Sequence, residues 1–367
     1  MAKETTAAAV PTKDRLLKAL TGNLGTYLIV VAFFVIIEAM IAGKSITSAF
    51  QGQLVPICVY VSAALSLNLV VGVSGELSLG HAGFMSLGAF SGAILSSVLM
   101  DAVPDPALRL LLCIITGGIF GAIFGAIVGV PVMRLSGDYL AIVTLAFGEI
   151  IKNLLNNLYV GHDAAGLHFS MTDTTSLGMT NGTVVVNGPQ GAVGITKIST
   201  FVAGTLLVLF TLFVVLNLMK SRSGRAIMAV RDNKIAAEAV GINVTKYRLM
   251  AFVVAAALAG MAGALYAMNF SSVVPSRFDY NTSILILVYV VLGGIGSMRG
   301  SVIAAAILTV LPETLRFMAD YRMLIYAVVL IAVMVLPNIP AVASLMEKVK
   351  EAMPWNKRTT AEEGGAQ

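Results

Sequence analysis

Residues 200–270 read TFVAGTLLVLFTLFVVLNLMKSRSGRAIMAVRDNKIAAEAVGINVTKYRLMAFVVAAALAGMAGALYAMNF. Two apolar runs, 200–218 and 249–270, flank a stretch carrying seven Lys or Arg against two Asp or Glu. Each run has the ~20 residues that a helix needs to cross a bilayer. An interruption this basic belongs in water, on the side that retains positive loops.

The rest of the chain follows suit. Of its 367 residues 57% are hydrophobic and 12% charged, with a mean hydropathy of +0.89. A soluble domain carries roughly 25% charged residues, so too little polar surface remains here to cover a water-soluble fold. Soluble enzymes, nucleic-acid binders and disordered chains are excluded together. The net charge of +5 reads as an orientation signal and not as an affinity for nucleic acid. Cys58 and Cys113 lie inside apolar runs and read as small buried hydrophobes. The N-terminus shows no signal-peptide core, and the first apolar stretch, from Leu24, reads as a retained helix.

The expected fold class is an all-α polytopic membrane protein of about ten transmembrane helices (range 8–10). The spans lie near 24–43, 54–73, 82–100, 109–131, 139–158, 200–218, 249–270, 284–298, 301–315 and 323–340. With both termini cytoplasmic, 17 of the 24 Lys and Arg residues fall on the cytoplasmic side, as the positive-inside bias requires. The domain plan is a cytoplasmic tail over 1–23, a transmembrane domain over 24–340 and a second cytoplasmic tail over 341–367. Within the domain, 159–199 is an external loop, read either as a solvated linker or as a docking surface. Residues 219–248 form a cytoplasmic loop.

Small residues suggest close helix packing. Gly117, Gly121, Gly125 and Gly129 repeat every four residues, as do Ala255, Ala259, Gly263 and Ala267, and such faces let helix backbones approach. Charges inside spans are few. Glu38 can reach the interface, Glu149 can pair with Lys152, and Glu313 with Arg316. No span carries a row of Asp, Glu or His fit for a proton relay.

Residues 72–90, GVSGELSLGHAGFMSLGAF, place Ser74, Gly75, Glu76, Ser78, Gly80 and His81 between two spans. Glycines release the backbone from helix, and non-helical backbone at membrane depth survives only when buried or lining a wet cavity. The alternative is a tight cytoplasmic turn. Gly72 to Gly75 also match G-x-S-G, a nucleophile pattern of intramembrane serine proteases. Ser74 would need a base, and neither His81, His162 nor His168 stands in a later span to supply one.

In the basic loop Asp232 is a candidate N-cap, 233–240 has helix-forming composition, Gly241 fits the C′ stop, and Thr245 can cap the next span. The short helix so defined would show a small apolar face of Ile235, Ala236, Ala239 and Val240. Composition alone favours a basic loop that anchors topology and binds anionic lipid.

Its Ala236-Ala237-Glu238-Ala239-x-Gly241 order resembles the coupling element of ABC importer permeases, a short helix that inserts into a cleft on the ATPase. Five segments in order extend the likeness: 72–84, GDYLAIVTLAFGEII (137–151), GRAIMAVRDNKIAAEAVGINV (224–244), ALAGMAGALYA (257–267) and VLGGIGSMRGS (291–301). Together, over about 54–337, they are similar to the M-type permease subunit of bacterial high-affinity branched-chain amino acid ABC importers. NGPQGAVGI (187–195) is similar to the family's outside glycine-proline segment.

The resemblance implies an ABC importer permease fold in the bacterial cytoplasmic membrane. It implies as partners a second homologous permease subunit, two cytoplasmic ATPase subunits and an external substrate-binding protein delivering leucine, isoleucine or valine. Arg225, Arg231, Asp232, Ala236, Ala237, Glu238, Ala239 and Gly241 become the coupling residues, with the two arginines facing the ATPase or lipid headgroups. Ser74, Gly75, Glu76, Ser78, Gly80, His81, Gly293, Gly294 and Gly296 become gate or pathway residues. The chain has no G-x-x-x-x-G-K-[ST] loop, so no cofactor is expected on it and ATP-Mg falls to its partners; it is not expected to be an enzyme. Two further readings remain open, a permease for urea or short amides and an ion-coupled secondary transporter.

Overall fold

The computed structural model describes residues 12–43, 47–100, 102–135, 137–163, 166–179 and 182–314, with 324, 327, 328 and 331 beyond them. Two compact units divide the chain, 1–309 and 310–367. Of the second, only the end of one helix and the four isolated positions are described. Most of the expected span at 323–340, the Glu313–Arg316 pair, residues 1–11 of the first tail and all of the second tail lie outside the described residues.

The order of elements is α1 (Thr12–Ala42), α2 (Ser48–Asn68), α3 (His81–Val98), α4 (Pro106–Val132), α5 (Asp138–Asn156), β1 (Tyr159–Asp163), β2 (Gly166–Ser170), β3 (Thr183–Asn187), β4 (Ala192–Val193), α6 (Phe201–Lys220), α7 (Arg222–Asp232), α8 (Lys234–Ala239), α9 (Val244–Ala267), β5 (Ser272–Val273), α10 (Tyr280–Gly293) and α11 (Met298–Thr314). Among the described residues, six helices are long and apolar enough to cross a membrane: α2, α3, α4, α6, α9 and the Leu24–Ala42 part of α1. α10 and α11 are apolar but shorter. α5, expected as a span, is a helix outside that set, and Glu149, Lys152, Asn153 and Asn156 dilute its last turns.

The core is built where α3 and α4 close on α9. Gly88, Gly117 and Gly260 meet at one crossing. A Cβ on Gly88 would land on the carbonyl oxygen of Gly260, and one on Gly260 would land on that of Gly117. The Gly117, Gly121, Gly125 and Gly129 face lies against Gly260, Ala256, Val253, Leu249 and Phe252 of α9. The adjoining Ala255, Ala259, Gly263 and Ala267 stripe is buried, and Gly263 abuts Met85 of α3. With no large side chains between them the three backbones gain dispersion contacts along their length, the source of helix association in lipid.

The segment expected as an external loop supplies four strands of a five-stranded antiparallel sheet in the order β2-β1-β3-β4-β5. Tyr159 pairs with Ser170 on one side and Asn187 on the other, and a register irregularity interrupts β1 against β3 between Val160 and Gly161. β3, TVVVN, supplies the β-branched residues that strands favour, with Val185 and Val186 buried. β5 follows α9 and pairs with β4, Ala192 opposite Val273. The sheet therefore stands at the end of α6 and α9 opposite to α7 and α8. Arg109, buried near the start of α4, donates from Nη2 to Thr196 Oγ1 (3.2 Å) and ties that end to the segment after β4.

Candidate functional site

The polar chemistry of the bundle concentrates around the break between α2 and α3. α2 does not stop at Asn68 but widens into a π-helical turn over Leu69–Ser74, a form that often marks functional sites. Gly75 ends it in the left-handed conformation, φ 74°. Residues 75–80 then leave helix altogether, and α3 starts at His81. His81 Nε2 lies 2.7 Å from Ser66 Oγ, on α2 two turns before Ser74. The non-helical segment thus doubles back along the end of α2 and returns into the bundle, as a re-entrant segment does.

Neighbouring helices hold this backbone by single, specific contacts. Thr144 Oγ1 of α5 accepts from Leu79 N (3.1 Å), and Ser283 Oγ of α10 accepts from Ala82 N (3.0 Å). Gly80 stands so close to α5 that a Cβ would collide with the Thr144 carbonyl. Asn68 donates from Nδ2 to Ser301 Oγ (2.8 Å) and to the Ser297 carbonyl (3.2 Å), and its Oδ1 accepts from Gly296 N (2.9 Å). One amide therefore clamps the α10–α11 turn. Gly294 and Gly296 take φ of 91° and 82°, and Gly293 packs directly on Gly300. Gly72, just before the expected pathway residues at 74–81, packs directly against Gly296 of the second expected set.

Ser62, Ser74 and Ser78 have buried hydroxyl oxygens with no hydrogen-bond partner among the described residues. Burial of an unpaired hydroxyl is costly. For proteolysis the arrangement is wrong. The only hydrogen bond made by the His81 ring is to Ser66, and Ser74 Oγ has no base beside it among the described residues.

The basic segment contacts the break itself. The short helix expected near 233–240 is present as α8, and a second helix, α7, which the sequence did not suggest, precedes it. Ser221 Oγ accepts from Gly224 N and starts α7, whose Gly224, Ile227 and Val230 are buried at three-residue spacing. Asp232 is the last residue of α7, so the cap of α8 passes to Asn233, whose Oδ1 accepts from Ala236 N (3.0 Å). Likewise Asn243 caps α9 in place of Thr245. Both corrections have one cause. Each cap residue must leave helical geometry, and the extended residues are Asn233 and Asn243.

Gly241 ends α8 at φ 82°. Its N–H bonds to the Glu238 carbonyl and that of Ile242 to the Ala237 carbonyl, both 3.0 Å, the paired bonds of a Schellman motif. Ala237 is buried in a cluster with Val230, Val244 and Ile242. Ala236, Glu238 and Ala239 face outward, and Ile235 and Val240 are 80% and 75% exposed.

Arg231 and Arg225 are exposed and each also makes a contact within the chain. Arg231 donates from Nη1 to the Gly72 carbonyl (3.0 Å) inside the broken helix, and its Nε and Nη2 hold Asp232. Arg225 returns to the Lys220 carbonyl (3.0 Å). A freed carbonyl in a π-turn is an unsatisfied acceptor that a guanidinium can reach, so Arg231 turns inward. The sequence reading missed Arg248, at the base of α9. Its Nε lies 2.5 Å from Glu76 Oε1, while Nη1 and Nη2 donate to the carbonyls of Met133 and Leu135 (both 3.2 Å). A signal existed: Glu76 and Asn68 are polar groups bordering apolar runs, and both need partners.

On α5, Glu149 and Lys152 form the expected pair, and Glu149 Oε1 also accepts from Tyr280 N (3.1 Å). No group of three His, Cys, Asp or Glu fit for a metal occurs among the described residues.

Comparison with known proteins places this architecture. The family model described as the permease component of the branched-chain amino acid transport system matches residues 49–334. The high-affinity branched-chain amino acid transport system permease proteins LivM of Salmonella typhimurium (strain LT2) and Escherichia coli (strain K12) are each 36% identical over 247 residues. That match takes in 62% of this chain and 55% of each relative, so the chain spans about half the length of the curated relatives it matches. No solved structure matches.

Proposed function

The chain belongs to the permease family of branched-chain amino acid transport systems, and from that premise we propose that it is the transmembrane subunit of an ATP-driven importer of leucine, isoleucine and valine. It works in the bacterial cytoplasmic membrane by alternating access. A second, homologous permease subunit completes the channel, two cytoplasmic ATPases bind ATP-Mg and hydrolyse it, and an external binding protein delivers the amino acid. The α7–α8 end faces the cytoplasm and the sheet faces outward.

The observation that carries this reading is the connection between α8 and the break in α2. α8 is short, capped at both ends and docked through Ala237, with Ile235 and Val240 turned out. Its neighbour α7 reaches the Gly72 carbonyl through Arg231, and α9, which starts just beyond α8, reaches Glu76 through Arg248. A partner that grips α8 and moves it displaces two guanidinium groups fastened to the re-entrant segment. The unpartnered Ser62, Ser74 and Ser78 hydroxyls then become available to the substrate's polar groups. Asn68 couples the same movement to the α10–α11 turn.

Placing a carboxylate on the face of α8 tests this. Ile235→Asp and Val240→Asp remove apolar contact without entering the core. Each is expected to lose co-purification with the ATPases and ATP-driven leucine uptake in proteoliposomes, with the thermal stability of the subunit unchanged. Wild-type assembly and uptake in both variants would refute the coupling role of α8. Competition of labelled leucine uptake by valine, and its absence with urea or acetamide, checks the substrate class.

A further inference from the structure

A second polar site lies at the sheet end, away from the break. Where α9 ends, Tyr266, Phe270, Ser272, Val273, Val274 and Arg277 line a half-open cavity of about 180 Å³, with Ser272 and Arg277 at its exposed rim. This is below the ~300–1,000 Å³ of sites for drug-sized ligands, as suits a single amino acid. Tyr266 and Phe270 form an aromatic floor, centroids 4.9 Å apart. β5 supplies one wall, held in place by its pairing with β4. Arg277 stands in the short turn Pro275–Phe278, and its guanidinium has neither a hydrogen bond nor an ion pair among the described residues. Five other arginines, Arg109, Arg225, Arg231, Arg248 and Arg299, are spent on a carbonyl, a carboxylate or a hydroxyl.

We infer that this cavity is an outer receiving site for a zwitterionic, branched aliphatic amino acid, with Arg277 binding its α-carboxylate. The inference rests on the import reading above and adds the residues that would recognise the substrate. A guanidinium presents parallel donors that fit a carboxylate. The α-ammonium sits against the ring faces of Tyr266 and Phe270, where aromatic quadrupoles attract cations. Val273 and Val274 offer apolar contact to the branched side chain. Below the floor, Tyr266 meets Tyr60 edge-on (6.4 Å), and Tyr60 meets Tyr289 (6.1 Å). Tyr60 is two residues from Ser62 on α2, and Ser66 and His81 follow. Polar groups thus run from the outer cavity to the re-entrant segment.

The experiment uses the assembled permease–ATPase complex in nanodiscs without binding protein, with radiolabelled leucine as the probe. Wild-type complex is expected to bind leucine. Isocaproate, which keeps the carboxylate, is expected to compete, and leucinol, which lacks it, is not. Arg277→Gln is expected to weaken binding by about tenfold or more, the scale of lost charge-assisted hydrogen bonds, and Arg277→Lys to restore part of it. Unchanged affinity in Arg277→Gln, no binding by wild type, or equal competition by leucinol would overturn the proposal. Should Arg277→Gln fail to assemble, Arg277→Lys decides, since wild-type affinity there would also overturn bidentate recognition. ATP-driven leucine uptake by wild type with its binding protein reports separately on the import reading. Uptake present with binding indifferent to Arg277 removes only the outer site, whereas no uptake removes the import reading.

Discussion

Glu76→Ala is expected to destabilise the protein by about 3–5 kcal/mol, the cost of breaking a buried ion pair by removing one partner. The Arg248 side chain is 5% exposed and that of Glu76 17%. Without Glu76 the guanidinium stays buried on two carbonyls, of Met133 and Leu135, which cannot neutralise it. Thermal unfolding of the purified subunit in detergent measures the loss, and a wild-type midpoint would show that the pair is dispensable. Glu76→Gln combined with Arg248→Met removes both charges together and is expected to recover most of the stability, as apolar replacements of buried pairs do. It is not expected to recover transport, because the link from α9 to the re-entrant segment is gone. Stability and transport should therefore separate in the double variant.

Gly260→Leu is expected to prevent the bundle from forming. Even the first carbon of a side chain there meets the Gly117 carbonyl, with Gly121 Cα 3.2 Å away, and these are backbone atoms that cannot rotate aside. Overpacking commonly costs ~1–3 kcal/mol, occasionally more. Gly260→Ala falls at the upper end of that range because α4 must move bodily, and leucine would exceed it. The monodisperse peak of the detergent-solubilised protein in size-exclusion chromatography is the readout. Gly52→Ala is the control. Gly52 sits in α2 with nothing within 4 Å of an added Cβ, so alanine there should raise stability by roughly 0.5–1 kcal/mol through helix propensity. A Gly260→Leu peak matching wild type would mean that the three-helix crossing is looser than its geometry states.

Sequence carried much of this fold, for a definite physical reason. The hydrophobic requirement of a bilayer acts on every residue of a span, so helices such as α4, α6 and α9 announce themselves by composition. Gly241 was legible because a left-handed C′ position nearly demands glycine. The small sheet was not, since β4 and β5 are two residues each and pair only through chain-distant partners. Arg231 was legible as a charge and not as a contact: its acceptor, the Gly72 carbonyl, lies 159 residues away and exists only because α2 widens into a π-turn. Asn233 displaced Asp232 as the cap because Arg222–Asp232 is itself a helix, hidden by seven basic residues that made the segment read as a loop. Arg277 carried no local signal, as its environment is assembled from the ends of α9 and β5.

The crossing of Gly88, Gly117 and Gly260 also has a consequence for biosynthesis. α3 and α4 leave the ribosome together, but α9 begins at Val244, more than a hundred residues after α4 ends at Val132. Until then their glycine faces have no backbone to close on, and α3 and α4 wait in the membrane as a slot. Commitment to the final bundle is therefore late in translation, and a chain stalled before α9 should be a ready substrate for membrane quality-control proteases.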